Sequence, residues 1–247
     1  MSNKTLISII TPSFNQAQFI EKTILSVLDQ DYHGFEHIVM DGGSTDGTID
    51  ILKKYPHLKW VSEKDHGQAN AINKGFNLAR GEILAWLNSD DYYEKNIFRS
   101  IVEIFDADHK CNFLYGDITY VSINDEIIRK ITGDILTRKN LIINPDVVRQ
   151  PSCFWRKSLQ NKVGTVNENL NLVMDYDLFS RFSRFTKFKY VERNFSYYRT
   201  YSNTKTLANQ RQQVLELLKV SFKNYGYVHP RMIKLLFKRY LNSFKSD

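Results

Sequence analysis

Ile83-Leu84-Ala85-Trp86-Leu87-Asn88-Ser89-Asp90-Asp91 is an apolar run that reads as a buried strand and breaks abruptly into an amide, a hydroxyl and two carboxylates. Two adjacent acids at the end of a buried strand need a partner or water. In open α/β sheets ligands sit in the crevice outside the carboxyl ends of the strands, so these side chains are expected to line a cleft. Hard oxygen donors there suit Mg²⁺ or Mn²⁺ holding the phosphates of a substrate. The competing reading makes Asp90 or Asp91 the N-cap of a helix that begins near Glu94.

The segments around this run alternate strand and helix. Residues 6–10 are β-branched and apolar and close in the turn Thr11-Pro12-Ser13-Phe14-Asn15. Residues 16–30 place Phe19, Ile20, Ile24, Val27 and Leu28 at helical spacing. A second strand at 36–40 runs into the glycine-rich turn Asp41-Gly42-Gly43-Ser44-Thr45-Asp46-Gly47-Thr48. A third strand at 58–62, a helix at 67–80 and the strand that ends at Asp90 complete the pattern. Such alternation predicts an α/β fold with a mostly parallel sheet and right-handed crossovers.

After residue 110 the signals weaken. Residues 113–120, 126–131 and 150–155 read as strands, and 174–182 as a loop that passes into a helix. Residues 188–191 and 195–201 resemble two paired strands, and two basic helices end the chain. The expected organisation is one domain over 1–205, with halves 1–120 and 121–205, followed by basic amphipathic helices over 206–247.

With 247 residues, 42% of them hydrophobic, the chain can bury a full core. Cys111 and Cys153 are too few for a disulfide framework and stand in no metal-ligand spacing. With no basic-then-apolar leader and no 18-residue apolar span, the expectation is a soluble, cytoplasmic chain. The net charge of +7 is unevenly spread. Residues 1–120 carry 11 Lys/Arg against 17 Asp/Glu, and residues 121–247 carry 23 against 10. Nucleic acid, an anionic membrane surface or an acidic substrate each fits a basic C-terminal half.

No G-x-G-x-x-G follows the first strand and no Walker motif occurs, which disfavours a dinucleotide cofactor and a P-loop. Asp41 stands where the second strand ends, where a carboxylate can accept from a base N–H or a ribose hydroxyl, or can simply order the turn. Asp46-Gly47 has the weaker claim, as ordinary capping. His66 has no partner motif and takes no role.

Taken together, Thr11-Pro12-Ser13-Phe14-Asn15, Asp41 to Thr48, Gly67-Gln68-Ala69-Asn70-Ala71-Ile72-Asn73-Lys74-Gly75 and Leu87-Asn88-Ser89-Asp90-Asp91 resemble the family 2 glycosyltransferases of GT-A fold. Gln150-Pro151-Ser152, Met174-Asp175-Tyr176-Asp177-Leu178 and Tyr198-Arg199 fit the same order, so the likeness covers residues 6 to about 206. The resemblance implies an inverting transfer from a nucleoside-diphosphate sugar, a UDP-sugar, to a glycan or lipid-linked acceptor. It implies that Asp90, the last residue of Asn88-Ser89-Asp90, binds the divalent metal, with Asp91 supporting it through water. By the same resemblance Thr11, Asn15, Asp41, Gln68 and Ser89 belong to the donor site.

Inversion needs one general base to take the proton of the acceptor hydroxyl. The resemblance puts Asp175 in that role, with Met174 where relatives have Glu and Asp177 as the fallback; a helix N-cap is the competing reading of Asp175. Relatives often carry a histidine two residues after the Tyr-Arg pair, and here that position is Tyr201. Arg199 and Lys205 either neutralise diphosphate charge or are ordinary solvated cations. The Q-x-x-R-W element and membrane helices of processive synthases are absent, which implies a single addition. A sugar-nucleotide-forming nucleotidyltransferase and a basic nucleic-acid-binding protein are the alternatives, the latter opposed by the acidic cleft half.

In the tail, Ile233, Leu236, Phe237, Tyr240, Leu241 and Phe244 form one apolar stripe after His229-Pro230, flanked by Arg231, Lys234, Lys238, Arg239 and Lys245. The stripe either packs on protein or lies in an anionic membrane interface.

Overall fold

The structure, a computed structural model, describes residues 5–201 and 209–242. β1 (Ile7–Ser13) is buried along its whole length. It is the centre of a parallel set with β2 (Phe35–Asp41), β3 (Leu58–Ser62) and β4 (Ile83–Trp86). Helices α1 (Ile20–Leu28), α2 (Thr48–Leu52) and α3 (Gln68–Leu78) make the crossovers. Burial on both faces is what continuous apolar strands such as Ile83-Leu84-Ala85-Trp86 require. Gly75 lets α3 lie close on β1, since a Cβ there would meet the Ile10 side chain at 2.4 Å.

The second half of the sheet is mixed. β8 (Cys153–Arg156) pairs antiparallel with β4 and with β6 (Phe113–Val121), and β9 (Lys189–Arg199) pairs parallel with β6. The full order is β3-β2-β1-β4-β8-β6-β9-β5, where β5 is Tyr92–Tyr93. β7 (Ile127–Ile131) pairs with residues 118–121 of β6. β6 and β9 thus run in the direction of β1 to β4, and β5, β7 and β8 run against it. Helices α4 (Phe98–Ala107), α5 (Arg138–Ile143), α6 (Lys157–Val163) and α7 (Met174–Phe182) cover the sheet. α8 (Gln210–Tyr225) and α9 (Pro230–Asn242) bury Val214, Leu217, Val220, Met232 and Leu236 in the same core as α3, β4 and α7.

Two expectations need correction. No helix starts near Glu94: Tyr92 and Tyr93 pair with Tyr197 and Ser196 instead, Asn96 turns the chain at a φ of 59°, and α4 begins at Phe98. Residues 188–191 and 195–201 are not two paired strands. Residues 189–199 form one strand, β9, whose polar residues Glu192, Arg193 and Asn194 fall where its register with β6 shifts near Asp117.

Candidate active site

A cavity of about 910 Å³ opens beside the carboxyl ends of β1 and β4, and Phe14, Gln68, Asp90, Asp175, Tyr198 and Tyr201 are among the side chains that line it. Asp90 and Asp175, 85 positions apart in sequence, thus share one space. They arrive there differently: Asp90 on the loop after β4, Asp175 in the first turn of α7.

The Asp90 loop is fixed from below. The Thr23 hydroxyl lies 2.9 Å from the Ser89 carbonyl and 2.6 Å from that of Asp91. Arg199 donates its backbone N–H to Asp91 Oδ1 at 3.0 Å and its Nε to the Asp90 carbonyl at 3.0 Å. Its guanidinium also meets Asp125 at 2.8 Å. Only 3% exposed, Arg199 is therefore a structural cation of the loop and does not reach the cavity to neutralise a diphosphate. Lys205, its companion in the sequence reading, lies outside the described residues.

Asp90 keeps its carboxylate toward the cavity, and its Oδ2 accepts from the Tyr201 hydroxyl at 3.1 Å. Tyr201, at the position of the family histidine, thus touches the acid expected to hold the metal. Burial raises the pKa of Asp90, and the Tyr201 hydrogen bond and Arg199 charge pull partly back. Asp91 is buried and points into the loop, accepting from Arg199 and, at 3.4 Å, from Asn88. Burial first and the Asp90 charge second push it well above the usual carboxylate range.

Asp175 accepts from the Tyr176 backbone N–H at 2.8 Å. Burial raises its pKa to about 6, close to the operating range of a general base. Asp177 faces the other way. It pairs with Arg181 at 3.0 Å, accepts from Asn224 at 3.1 Å and is 1% exposed. The fallback base is thus a buried structural anion, because two helix residues apart is a rotation of roughly 200°.

The remaining donor-site residues divide. Gln68 and Ser89 line the cavity, and Gln68 donates to Asn88 Oδ1 at 2.9 Å, an oxygen that also takes the Trp86 indole N–H at 2.7 Å. Thr11 is fully buried, its hydroxyl 2.9 Å from His37 Nε2, and its side chain does not line the cavity. Asn15, at a φ of 51°, ties the turn after β1 to the turn after β2 by accepting from the Thr45 N–H at 2.9 Å. Asp41 joins the turn after β2 to the end of β3. Its oxygens accept from the Gly43 and Ser44 N–H groups and from the Ser44 and Ser62 hydroxyls, so it orders the glycine-rich turn.

Three further residues bear on the cavity, of which the sequence reading gave no site role to Phe14 and Tyr198. Phe14, 59% exposed, offers an aromatic face at the cavity wall, signalled only by its place in the turn after β1. Tyr198 lines the cavity under the influence of Asp91, Asp90 and Asp175, and burial first, then those charges, raise its pKa. Tyr201 was marked only as standing where relatives carry a histidine, and its hydrogen bond to Asp90 comes from the fold.

Among the described residues no cluster of three or more His, Cys, Asp or Glu could hold a metal. A metal at the position expected from the sequence would therefore take one carboxylate, Asp90, from the described residues. That donor set fits Mg²⁺ or Mn²⁺, which keep several waters and complete their shell with substrate phosphates. It does not fit a closed zinc site.

The sequence profile described as glycosyl transferase family 2 matches residues 8–164. TuaG of Bacillus subtilis, assigned to teichuronic acid biosynthesis as a glycosyltransferase, is 40% identical over 118 residues, covering 45% of this chain and 46% of its own. The chondroitin synthase of Escherichia coli is 24% identical over 76% of this chain and 28% of its own length. The chain spans less than half the length of either relative. Among solved structures, Staphylococcus aureus TarS in complex with UDP-GlcNAc superposes with a TM-score of 0.71 at 20% identity, over 97% of this chain and 72% of that one. The mannosyltransferase PcManGT of Pyrobaculum calidifontis, in complex with GDP-Man and Mn²⁺, gives 0.63 at 16% identity, over 97% and 70%. The strand order, the acids at the end of β4 and the profile match over more than half the chain lead to one conclusion: this protein belongs to glycosyl transferase family 2 and has the GT-A fold.

Proposed function

We propose that the protein moves one sugar from a UDP-sugar to a hydroxyl of a glycan or lipid-linked acceptor, with inversion, in the synthesis of a cell-surface polysaccharide. The observation that carries this reading is the shared cavity of Asp90 and Asp175. Asp175 takes the proton of the attacking hydroxyl, its raised pKa leaving it basic enough to do so. Asp90 would hold Mg²⁺ or Mn²⁺, which when bound would supply charge stabilisation for the departing diphosphate. Gln68, Ser89 and the turn ordered by Asn15 and Asp41 shape the donor end. TuaG and chondroitin synthase supply the polysaccharide context, and the TarS complex with UDP-GlcNAc the donor class. Membership of the family sets aside the nucleotidyltransferase and nucleic-acid-binding alternatives. Release of UDP, GDP or dTDP from a panel of donor sugars tests the reading, with UDP the expected product. Release of GDP or dTDP alone overturns the donor class.

A membrane-facing hairpin belongs to the same proposal. Leu236 of the predicted stripe packs on the core together with Met232, whereas Ile233, Phe237 and Leu241 of the stripe stay exposed, as does Phe222 on α8. Phe244 and Lys245 lie outside the described residues. Lys219, Lys223, Arg231, Lys234 and Lys238 are exposed on the same two helices, a charge pattern complementary to anionic lipid. Gln213, Leu217 and Arg239 of this hairpin also line the cavity, so a lipid-linked acceptor bound there is close to its catalytic space. Among the described residues no helix is long and apolar enough to cross a membrane. The chain is expected to sediment with phosphatidylglycerol liposomes at low salt. Ile233→Ser, Phe237→Ser and Leu241→Ser together are expected to weaken that binding about a hundredfold, since each removes part of a 1.5–3 kcal/mol side-chain transfer. Unchanged binding by the triple variant overturns the assignment.

A further inference from the structure

The wall of the cavity built from β6, β7 and α9 carries three arginines, Arg129, Arg149 and Arg239. Two of them are committed within the protein. Arg149 is 1% exposed, donates to the carbonyls of Gly116, Thr132 and Gly133 at 2.9–3.3 Å, and meets Asp117 at 3.5 Å. It pins the base of the β6–β7 hairpin. Arg239 grips both carboxylate oxygens of Asp146, at 2.6 and 2.8 Å.

Arg129 is different. It stands opposite Tyr120 across the β6–β7 ladder, with its Cζ 4.3 Å from the Tyr120 ring centroid, and it has no carboxylate partner among the described residues. The ring beneath it fixes the guanidinium by a cation–π contact. Tyr120 in turn packs on Tyr198, centroids 5.0 Å apart, and Tyr198 lies within the electrostatic reach of Asp175. Cation, two aromatic rings and carboxylate therefore follow one another along a continuous stretch of cavity wall.

Each part of that stretch has a chemistry. Aromatic faces take the apolar faces of sugar rings. A guanidinium with unspent N–H donors, held flat, matches the paired oxygens of a carboxylate or phosphate. Nothing about accepting a neutral sugar hydroxyl calls for such a cation one aromatic pair away from the base.

Building on the catalytic reading above, we propose that the acceptor is an anionic glycan. Arg129 holds the carboxylate or phosphate of the residue next to the accepting sugar, while Tyr198 and Tyr120 carry the rings. Arg129 is a specificity-determining residue; it takes no part in the proton transfer.

The test is binding of three probes to the full chain, followed by NMR with and without UDP and Mn²⁺: a glucuronate-containing disaccharide, its carboxyl-reduced neutral counterpart, and the same neutral disaccharide bearing a phosphate monoester. At least one anionic probe is expected to bind about tenfold more tightly than the neutral one, a preference that shrinks with added salt. Whichever is favoured identifies the source of the charge. Arg129→Gln is expected to erase the preference and Arg129→Lys to keep part of it, both with UDP affinity unchanged. Equal binding of all three probes by the native chain means that Arg129 is only a solvated cation and overturns the proposal, as does a preference that survives Arg129→Gln. Loss of UDP binding in the native chain would instead strike at the donor reading, and the acceptor measurements without UDP would still decide this one.

Discussion

If Asp90 holds the metal as proposed, Asp90→Ala is expected to abolish Mn²⁺-dependent UDP binding and to lower sugar transfer by about 10³-fold or more, the loss that follows when several kcal/mol of metal-borne charge stabilisation disappear. The size follows from the donor count. Asp90 is the carboxylate that the Asp90–Asp91 pair turns to the cavity, and Asp91 is buried against Arg199 and Asn88. With no cluster of three or more ligating side chains among the described residues, no neighbour takes over when Asp90 is lost. The loop itself survives the change. Thr23 holds the carbonyls of Ser89 and Asp91, and Arg199 holds the Asp90 carbonyl, contacts that alanine retains. Burial penalises the Asp90 charge, so its removal leaves the thermal midpoint unchanged or raises it. Calorimetric titration of UDP with and without Mn²⁺ is the measurement. A variant with native affinity and native metal dependence would remove Asp90 from the metal site.

Tyr201 sharpens the same experiment. Its hydroxyl donates to Asp90 Oδ2 at 3.1 Å and its ring packs on Phe19, centroids 5.3 Å apart. Tyr201→Phe removes one hydrogen bond from the carboxylate and leaves the ring contact. It is therefore expected to weaken Mn²⁺-dependent UDP binding by about tenfold or less, far short of Asp90→Ala. Loss as large as that of Asp90→Ala would make Tyr201 a direct partner of the metal or diphosphate.

The parallel half of the fold was legible because its residues obey one rule at a time. Residues 83–86 are a continuous apolar run, and 6–10 and 38–40 are apolar but for Ser8; set between turns and buried on both faces, they have no other place. β5 was not legible: two tyrosines make no periodic pattern, and only their pairing with Tyr197 and Ser196 defines the strand. β9 was read as two pieces since Glu192, Arg193 and Asn194 interrupt its apolar residues where the ladder with β6 slips. At the site, Asp90 and Asp175 could be found from strand-end chemistry and motif order. The orientation of Arg199 could not, because its partners Asp91 and Asp125 come from loops that only the fold assembles. Thr11 failed as a cleft residue for a similar reason: its partner His37 lies on the next strand, and their hydrogen bond turns both inward.

With Asp175 as the proposed base, Asp175→Asn is expected to keep UDP binding but to lower the transfer rate by about 10²- to 10⁴-fold, the usual contribution of a general base. Asparagine preserves the shape and the acceptor for the Tyr176 N–H, so the start of α7 holds, while the proton acceptor is gone. The pH dependence carries its own signature. Burial raises the Asp175 pKa from 3.8 to about 6, so in the native enzyme the rate climbs with pH through about 6 as the carboxylate ionises. In the variant that acid limb is lost from the residual activity. Stability moves in the opposite sense. A folded pKa above the unfolded one means that Asp175 contributes stability below 3.8, and that contribution is lost as the pH rises through about 6. Asp177→Asn separates the two acids. It unpairs Arg181 in a buried setting and so lowers the thermal midpoint, with kcat per folded molecule changed little. Rates normalised to folded protein, together with NMR of the product anomer, read all of this. A slow Asp177→Asn beside a normal Asp175→Asn, or a retained anomeric configuration, would move the base away from Asp175.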